Sequence, residues 1–103
     1  MKLLTKSIES KIPKLYANEE KQESEIRVYA KYFHVRSNWS WYATEYDAET
    51  KTFFGFVDGL DKELGYFSLT EMEEVTVYGL GTERDLYWND KTTLEEVMQG
   101  LKS

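Results

Sequence analysis

Between Ile26 and Val57 the chain holds runs, separated by polar turns, in which side chains alternate between two faces and the apolar ones are mostly aromatic or β-branched. That combination suits extended strands with side chains on alternating faces and does not suit a helix. Ile26, Val28, Ala30 and Tyr32 alternate with Arg27, Tyr29, Lys31 and Phe33, as a strand with one core face does. Ser37 and Asn38 supply turn residues. Beyond them Trp39, Trp41 and Ala43 fall on one face of a second strand, and Ser40, Tyr42, Thr44 and Tyr46 on the other. Asp47-Ala48-Glu49-Thr50-Lys51 reads as a polar hairpin loop, and Thr52 to Val57 returns as a third strand ending at Asp58-Gly59. Three such runs joined by turns predict an antiparallel meander.

Helical spacing flanks the meander on both sides. Leu4, Ile8, Ile12 and Leu15 stand four, four and three apart, with Thr5 placed to cap a short helix that ends near Pro13. The polar run Asn18 to Glu25 is an exposed connection. Past the meander, Leu64 to Ser68 fits a fourth strand, and Ser68-Leu69-Thr70-Glu71 has the Ser-x-x-Glu spacing of a capping box, opening a helical turn through Glu74. Gly79 to Thr82 reads as a loop and Asp85 to Trp88 as a last short strand. Thr92-Thr93-Leu94-Glu95 opens a final helix whose apolar stripe is Leu94, Val97, Met98 and Leu101. The expected fold class is α+β: an antiparallel sheet of about four strands with an N-terminal and a C-terminal helix, in one domain spanning residues 1–103.

Composition narrows the possible chemistry. No cysteine occurs, which removes disulfides, thiolate metal sites and thiol redox chemistry. The N-terminus lacks the apolar stretch of a signal peptide, and no segment approaches the length needed to span a bilayer, so a cytoplasmic location and no membrane partner are expected. The net charge of −6 is unevenly distributed. Residues 1–44 hold eight basic against five acidic side chains, a balance of +3, whereas residues 45–85 hold three against eleven, a balance of −8. Duplex-binding proteins show the reverse excess, because counterion release from phosphates needs Lys and Arg. The acidic middle favours basic partners or solvation.

No constellation of residues marks a catalytic centre, so no enzyme activity and no cofactor are expected. The single histidine, His34, has neither a second His nor a Cys with which to form a nitrogen or sulfur metal site, and a structural or surface role is expected. The serines sit in turn and capping contexts, away from any base that would activate them. Glu71, Glu73 and Glu74 cluster on the predicted helical turn, where solvation and the helix dipole account for them without a metal. Gly79-Leu80-Gly81-Thr82 lacks the Gly-Lys-Ser/Thr of a phosphate loop. The aromatic residues outnumber what one face of a small sheet hides. Exposed rings would serve as anchors at a protein interface or as stacking platforms for single-stranded nucleic acid, the latter with Arg27, Lys31 and Arg36 on the backbone and Tyr29 or Trp41 on the bases. Both sheet faces covered by helices and loops is the third possibility.

Several segments together, Leu3-Leu4-Thr5-Lys6, Ile12-Pro13-Lys14-Leu15-Tyr16-Ala17, Ser37-Asn38-Trp39-Ser40-Trp41-Tyr42-Ala43-Thr44-Glu45, Glu63-Leu64-Gly65-Tyr66-Phe67-Ser68-Leu69 and Glu83-Arg84-Asp85-Leu86-Tyr87, resemble a bacterial domain family of unknown function carried on plasmids, conjugative elements and phages. The resemblance implies a protein useful to a mobile element. Small acidic proteins in that setting often inhibit host defence nucleases, of the anti-CRISPR or anti-restriction type, and some imitate the charge of DNA. The expected function is therefore non-enzymatic inhibition of a nucleic-acid-handling defence complex, with Glu45, Asp47, Glu63, Glu71, Glu73, Glu74, Trp41 and Tyr42 facing the partner. The alternative is a single-stranded nucleic-acid-binding accessory protein for conjugation or replication.

Overall fold

The computed structural model describes residues 2–74, 76–77 and 80–100. In chain order the elements are α1 (Lys6–Lys11), β1 (Ala30–His34), β2 (Ser40–Asp47), β3 (Thr52–Asp58), β4 (Lys62–Ser68), α2 (Leu69–Glu74), β5 (Thr76–Val77), β6 (Leu80–Arg84) and α3 (Leu94–Met98). The fold is α+β. All pairings are antiparallel, in the order β4-β3-β2-β1-β6, with the two-residue β5 hairpinned onto β6. The sheet thus has five full strands where about four were expected. The additional one is β6, which covers Leu80–Thr82 of the segment read as a loop; Gly79 lies outside the described residues. The strand expected at Asp85 to Trp88 is instead a turn, because the Asp85 carboxylate accepts the Tyr87 N–H at 2.9 Å and bends the chain as β6 ends.

The caps read from the sequence are present. Thr5 Oγ1 accepts the Ile8 N–H at 3.1 Å, and Ser68 Oγ accepts the Glu71 N–H at 3.1 Å. Thr93 and Glu96 form a reciprocal capping box at the start of α3. Leu94 and Val97 are buried beneath that helix, Met98 lies at its margin, and Leu101 falls outside the described residues.

The sheet separates two apolar clusters. On one face Ala30, Tyr32, Ala43, Tyr46, Phe53 and Phe67 pack against Leu3, Leu4 and Ile12 from around α1 and Leu69 and Met72 of α2. Phe53 is central there, with ring centroids of Tyr46, Phe67 and Tyr32 at 4.6, 5.2 and 5.5 Å. On the other face Tyr42 and Phe56 pack against Ile26, Val28, Leu94 and Val97, with Trp88 alongside. Ile26, Val28, Ala30 and Tyr32 therefore do not share one core face as expected. Residues 26–29 run outside β1, tied to the lead-in of α3 by Val28 N–H to Thr92 O and Leu94 N–H to Ile26 O, both 2.8 Å, and the chain changes faces as it enters the sheet.

A bulge in β2 makes a second change. The register with β3 slips between Ala43 and Glu45, and Thr44 is the extra residue, its hydroxyl donating to Phe54 O at 3.0 Å. Tyr46, expected to share a face with Tyr42, joins Ala43 and Phe53 instead. Opposite the bulge stands Gly55, where a Cβ would lie 1.8 Å from the Tyr42 carbonyl oxygen, so only glycine fits.

Candidate functional site

Of the eight residues expected at an interface, two are interior. Tyr42 is 3% exposed, enclosed by Phe56, Trp88 and the Lys31 ammonium 5.6 Å from its ring. Glu45 is 4% exposed, and its oxygens accept the backbone N–H groups of Tyr16 at 2.9 Å and Asn18 at 2.8 Å. Neither stands on the molecule's outer surface. Trp41 is half-buried against the first cluster and 5.9 Å from the Trp39 ring. Glu63 is exposed at the start of β4, whereas α2 begins beyond the strand's other end at Ser68, so it stands apart from the α2 carboxylates.

Of the remaining acids, Glu73 and Asp47 act together on Tyr46, whereas Glu71 borders a hollow with His34, Trp41 and Thr82. α2 is anchored by Leu69 and Met72, which leaves Glu71, Glu73 and Glu74 in solvent. The Tyr46 hydroxyl reports what surrounds them: its pKa is raised first by burial and then by the charges of Glu9, Glu73 and Asp47. Carboxylates of α1, β2 and α2 thus converge on one side of the molecule. Asp47 itself is held below the usual carboxylate range, chiefly by the Thr50 hydroxyl bond at 2.7 Å, so it stays ionised. Among the described residues Glu9, Asp47, Glu71, Glu73 and Glu74 take part in no ion pair; the pairs seen join Lys11 and Arg27 to Asp90.

A second surface lies across the sheet, and the sequence reading missed it. Beyond Ala43, β1 no longer accompanies β2, and the segment after α1 takes its place: Tyr46 N–H donates to Pro13 O at 2.9 Å, and Asn18 Nδ2 to Thr44 O at 3.3 Å. Glu45 holds the same segment from within, with Tyr16 in the left-handed region at φ 72°. The result is a cleft of about 330 Å³ lined by Tyr16, Phe54, Leu64, Tyr66, Ile26 and Leu94, with Asn18 and Glu45 inside and Glu19, Lys21 and Glu23 around it. Tyr66, 55% exposed, meets Phe54 edge-on at 5.1 Å. Its pKa is raised, first by a side-chain hydrogen bond with Tyr16. A glutamate inside a strand rich in aromatic residues, directly before Tyr46, was the signal in the sequence that something must satisfy it.

The cations suggested for a nucleic-acid backbone are drawn into the chain's own contacts. Arg27 bonds Asp90 and stands over the Tyr29 ring at 5.1 Å, and Lys31 covers Tyr42. His34 is buried, its Nδ1 accepting the Arg36 N–H at 3.1 Å, which gives it a structural role. Among the described residues no three His, Asp or Glu side chains converge on a point where a metal would sit, and no helix is long and apolar enough to cross a membrane.

A family model described as "Protein of unknown function (DUF2958)" matches residues 3–100. No curated protein and no solved structure matches the chain.

Proposed function

The chain belongs to the DUF2958 family of proteins of unknown function, and from that premise we propose that it is a non-catalytic inhibitor acting by protein–protein binding. Its target is a nucleic-acid-handling defence complex of the anti-CRISPR or anti-restriction class, and the setting is a mobile genetic element such as a plasmid or phage. The observation that carries this reading is the surface around α2. There Glu71, Glu73 and Glu74, with Glu9 and Asp47 from two other elements, take part in no ion pair among the described residues. Charge left unpaired inside the molecule is available to a partner's Lys and Arg. A groove built to hold phosphates presents such cations in a row, and a rigid array of carboxylates is complementary to it.

The array is rigid because α2 is fixed by buried Leu69 and Met72 and capped by Ser68. Little backbone freedom is lost on docking, which favours affinity. The test is a cleavage assay with purified restriction and CRISPR nucleases, titrated with the chain and with its Glu71→Lys/Glu73→Lys/Glu74→Lys variant. The expected result is dose-dependent inhibition by the first and loss of inhibition in the second. Cleavage unaffected by either, across the panel, overturns the reading.

A further inference from the structure

We infer that the cleft between β4 and the segment 14–23 is a receptor site for a basic side chain, presented by an extended segment of a protein partner laid along the free edge of β4. Three aromatic rings shape it. Phe54 and Tyr66 meet edge-on at 5.1 Å, and Tyr16 lines the same cleft. Ring faces attract an ammonium or guanidinium group, and several rings around one volume form the kind of cage that holds such cations.

Charge selects the same ligand. Glu19, Glu23 and Glu45 line the cleft against the single ammonium of Lys21, and the apolar walls of Ile26, Leu64 and Leu94 keep the local dielectric low. Among the described residues the Glu45 carboxylate accepts from neutral backbone N–H groups and forms no ion pair, so its charge acts on the cleft. The cleft's volume, about 330 Å³, exceeds what one basic side chain fills and leaves room for the neighbouring backbone.

The extended form of the ligand follows from β4. It is the edge of the sheet, bonded to β3 alone, with Leu64 and Tyr66 exposed toward the cleft side and open space over Gly65. An unpaired strand edge next to side-chain pockets is the arrangement used for strand addition, in which main-chain bonds give affinity and pockets give specificity. The left-handed backbone at Tyr16 adds an independent sign. A bulky residue at φ 72° is strained, and such strain persists where the surroundings hold a residue in place for binding. The cleft lies across the sheet from α2, so this site is separate from the acidic surface proposed above.

The experiment is an amide-resolved NMR titration of the whole chain with a short oligolysine peptide and with the same peptide fully acetylated at Nε. The expected result is saturable shifts at the amides of Tyr16, Asn18, Leu64, Gly65 and Tyr66. Affinity should fall about tenfold for the acetylated peptide and about tenfold for Tyr66→Leu, which keeps apolar bulk on β4 but removes the ring. Unmoved amides at Phe53 and Phe67 show that this variant is folded. The shifts should persist in the Glu71→Lys/Glu73→Lys/Glu74→Lys variant, which separates this site from the inhibitory surface. Equal binding of the acetylated peptide, undiminished binding by Tyr66→Leu, or shifts confined to α2 overturns the inference.

Discussion

The two faces of the sheet carry similar numbers of aromatic rings but use them differently. On the first face, Tyr32, Tyr46, Phe53 and Phe67 form a continuous stack closed by α1 and α2, and the charged residues of those helices point away from it. On the second, α3 covers Tyr42 and Phe56, while Phe54 and Tyr66 are left beside a cleft closed only by a loop. The first face is the better covered because α2 and the residues flanking α1 both pack on it. The single short helix on the other reaches only part of the sheet. What the comparison teaches is that stability and recognition are divided: the closed face supplies the rigid base for the acidic surface, and the open face retains groups that ordinary folding would hide.

Adjacent residues of β3 give the largest expected contrast. Phe53→Ala removes the centre of the closed stack and should cost about 4 kcal/mol, whereas Phe54→Ala, on the open face, should cost no more than about half as much. Chemical denaturation of the two variants measures both; equal losses would break the distinction between the faces. Next is Glu45→Gln, which turns one of two accepting oxygens into a donor facing a backbone N–H. It should cost about 2 kcal/mol and speed hydrogen exchange at Tyr16 and Asn18 while leaving Phe53 protected.

Tyr32→Phe is smaller and depends on pH. The Tyr32 hydroxyl donates to Leu3 O at 2.8 Å, and burial pushes its pKa well above the ordinary value of 10.0. Because the folded-state value is the higher one, the tyrosine's contribution is fully present below about pH 10 and is lost as pH rises through the folded value. The variant should therefore cost about 1 kcal/mol at neutral pH, and the gap should narrow above pH 10, read from melts across that range. A gap that widens with alkalinity would place Tyr32 in a wetter setting than the closed face allows.

Much of this fold is legible in the residues themselves. The meander, the three helices and their caps at Thr5, Ser68 and Thr93 follow from local periodicity and hydrogen-bonding side chains, which operate over a few residues. The faces are less legible. The bulge at Thr44 and the crossing between Val28 and Ala30 each shift the alternation by one, and neither is signalled by propensity, since both are set by which distant strand or loop supplies the bonding partner. The same limit governs the candidate sites. Exposure of Glu71, Glu73 and Glu74 could be read from a helix whose other side is Leu69 and Met72. That Glu45 is buried, and that Tyr16 and Tyr66 meet across a cleft, depends on contacts far apart in the chain.

The smallest expected change in stability belongs to the reversal of Glu71, Glu73 and Glu74 to lysine, within about 0.5 kcal/mol, because these side chains are exposed and take part in no ion pair among the described residues. That near-neutrality makes it the cleanest probe of function. The decisive measurement is the release of a labelled DNA duplex from a cleavage-inactive defence nuclease as the chain is added. The account predicts displacement by the native chain and none by the triple-lysine variant. A stable ternary complex with the DNA still bound, or equal displacement by the variant, would contradict it.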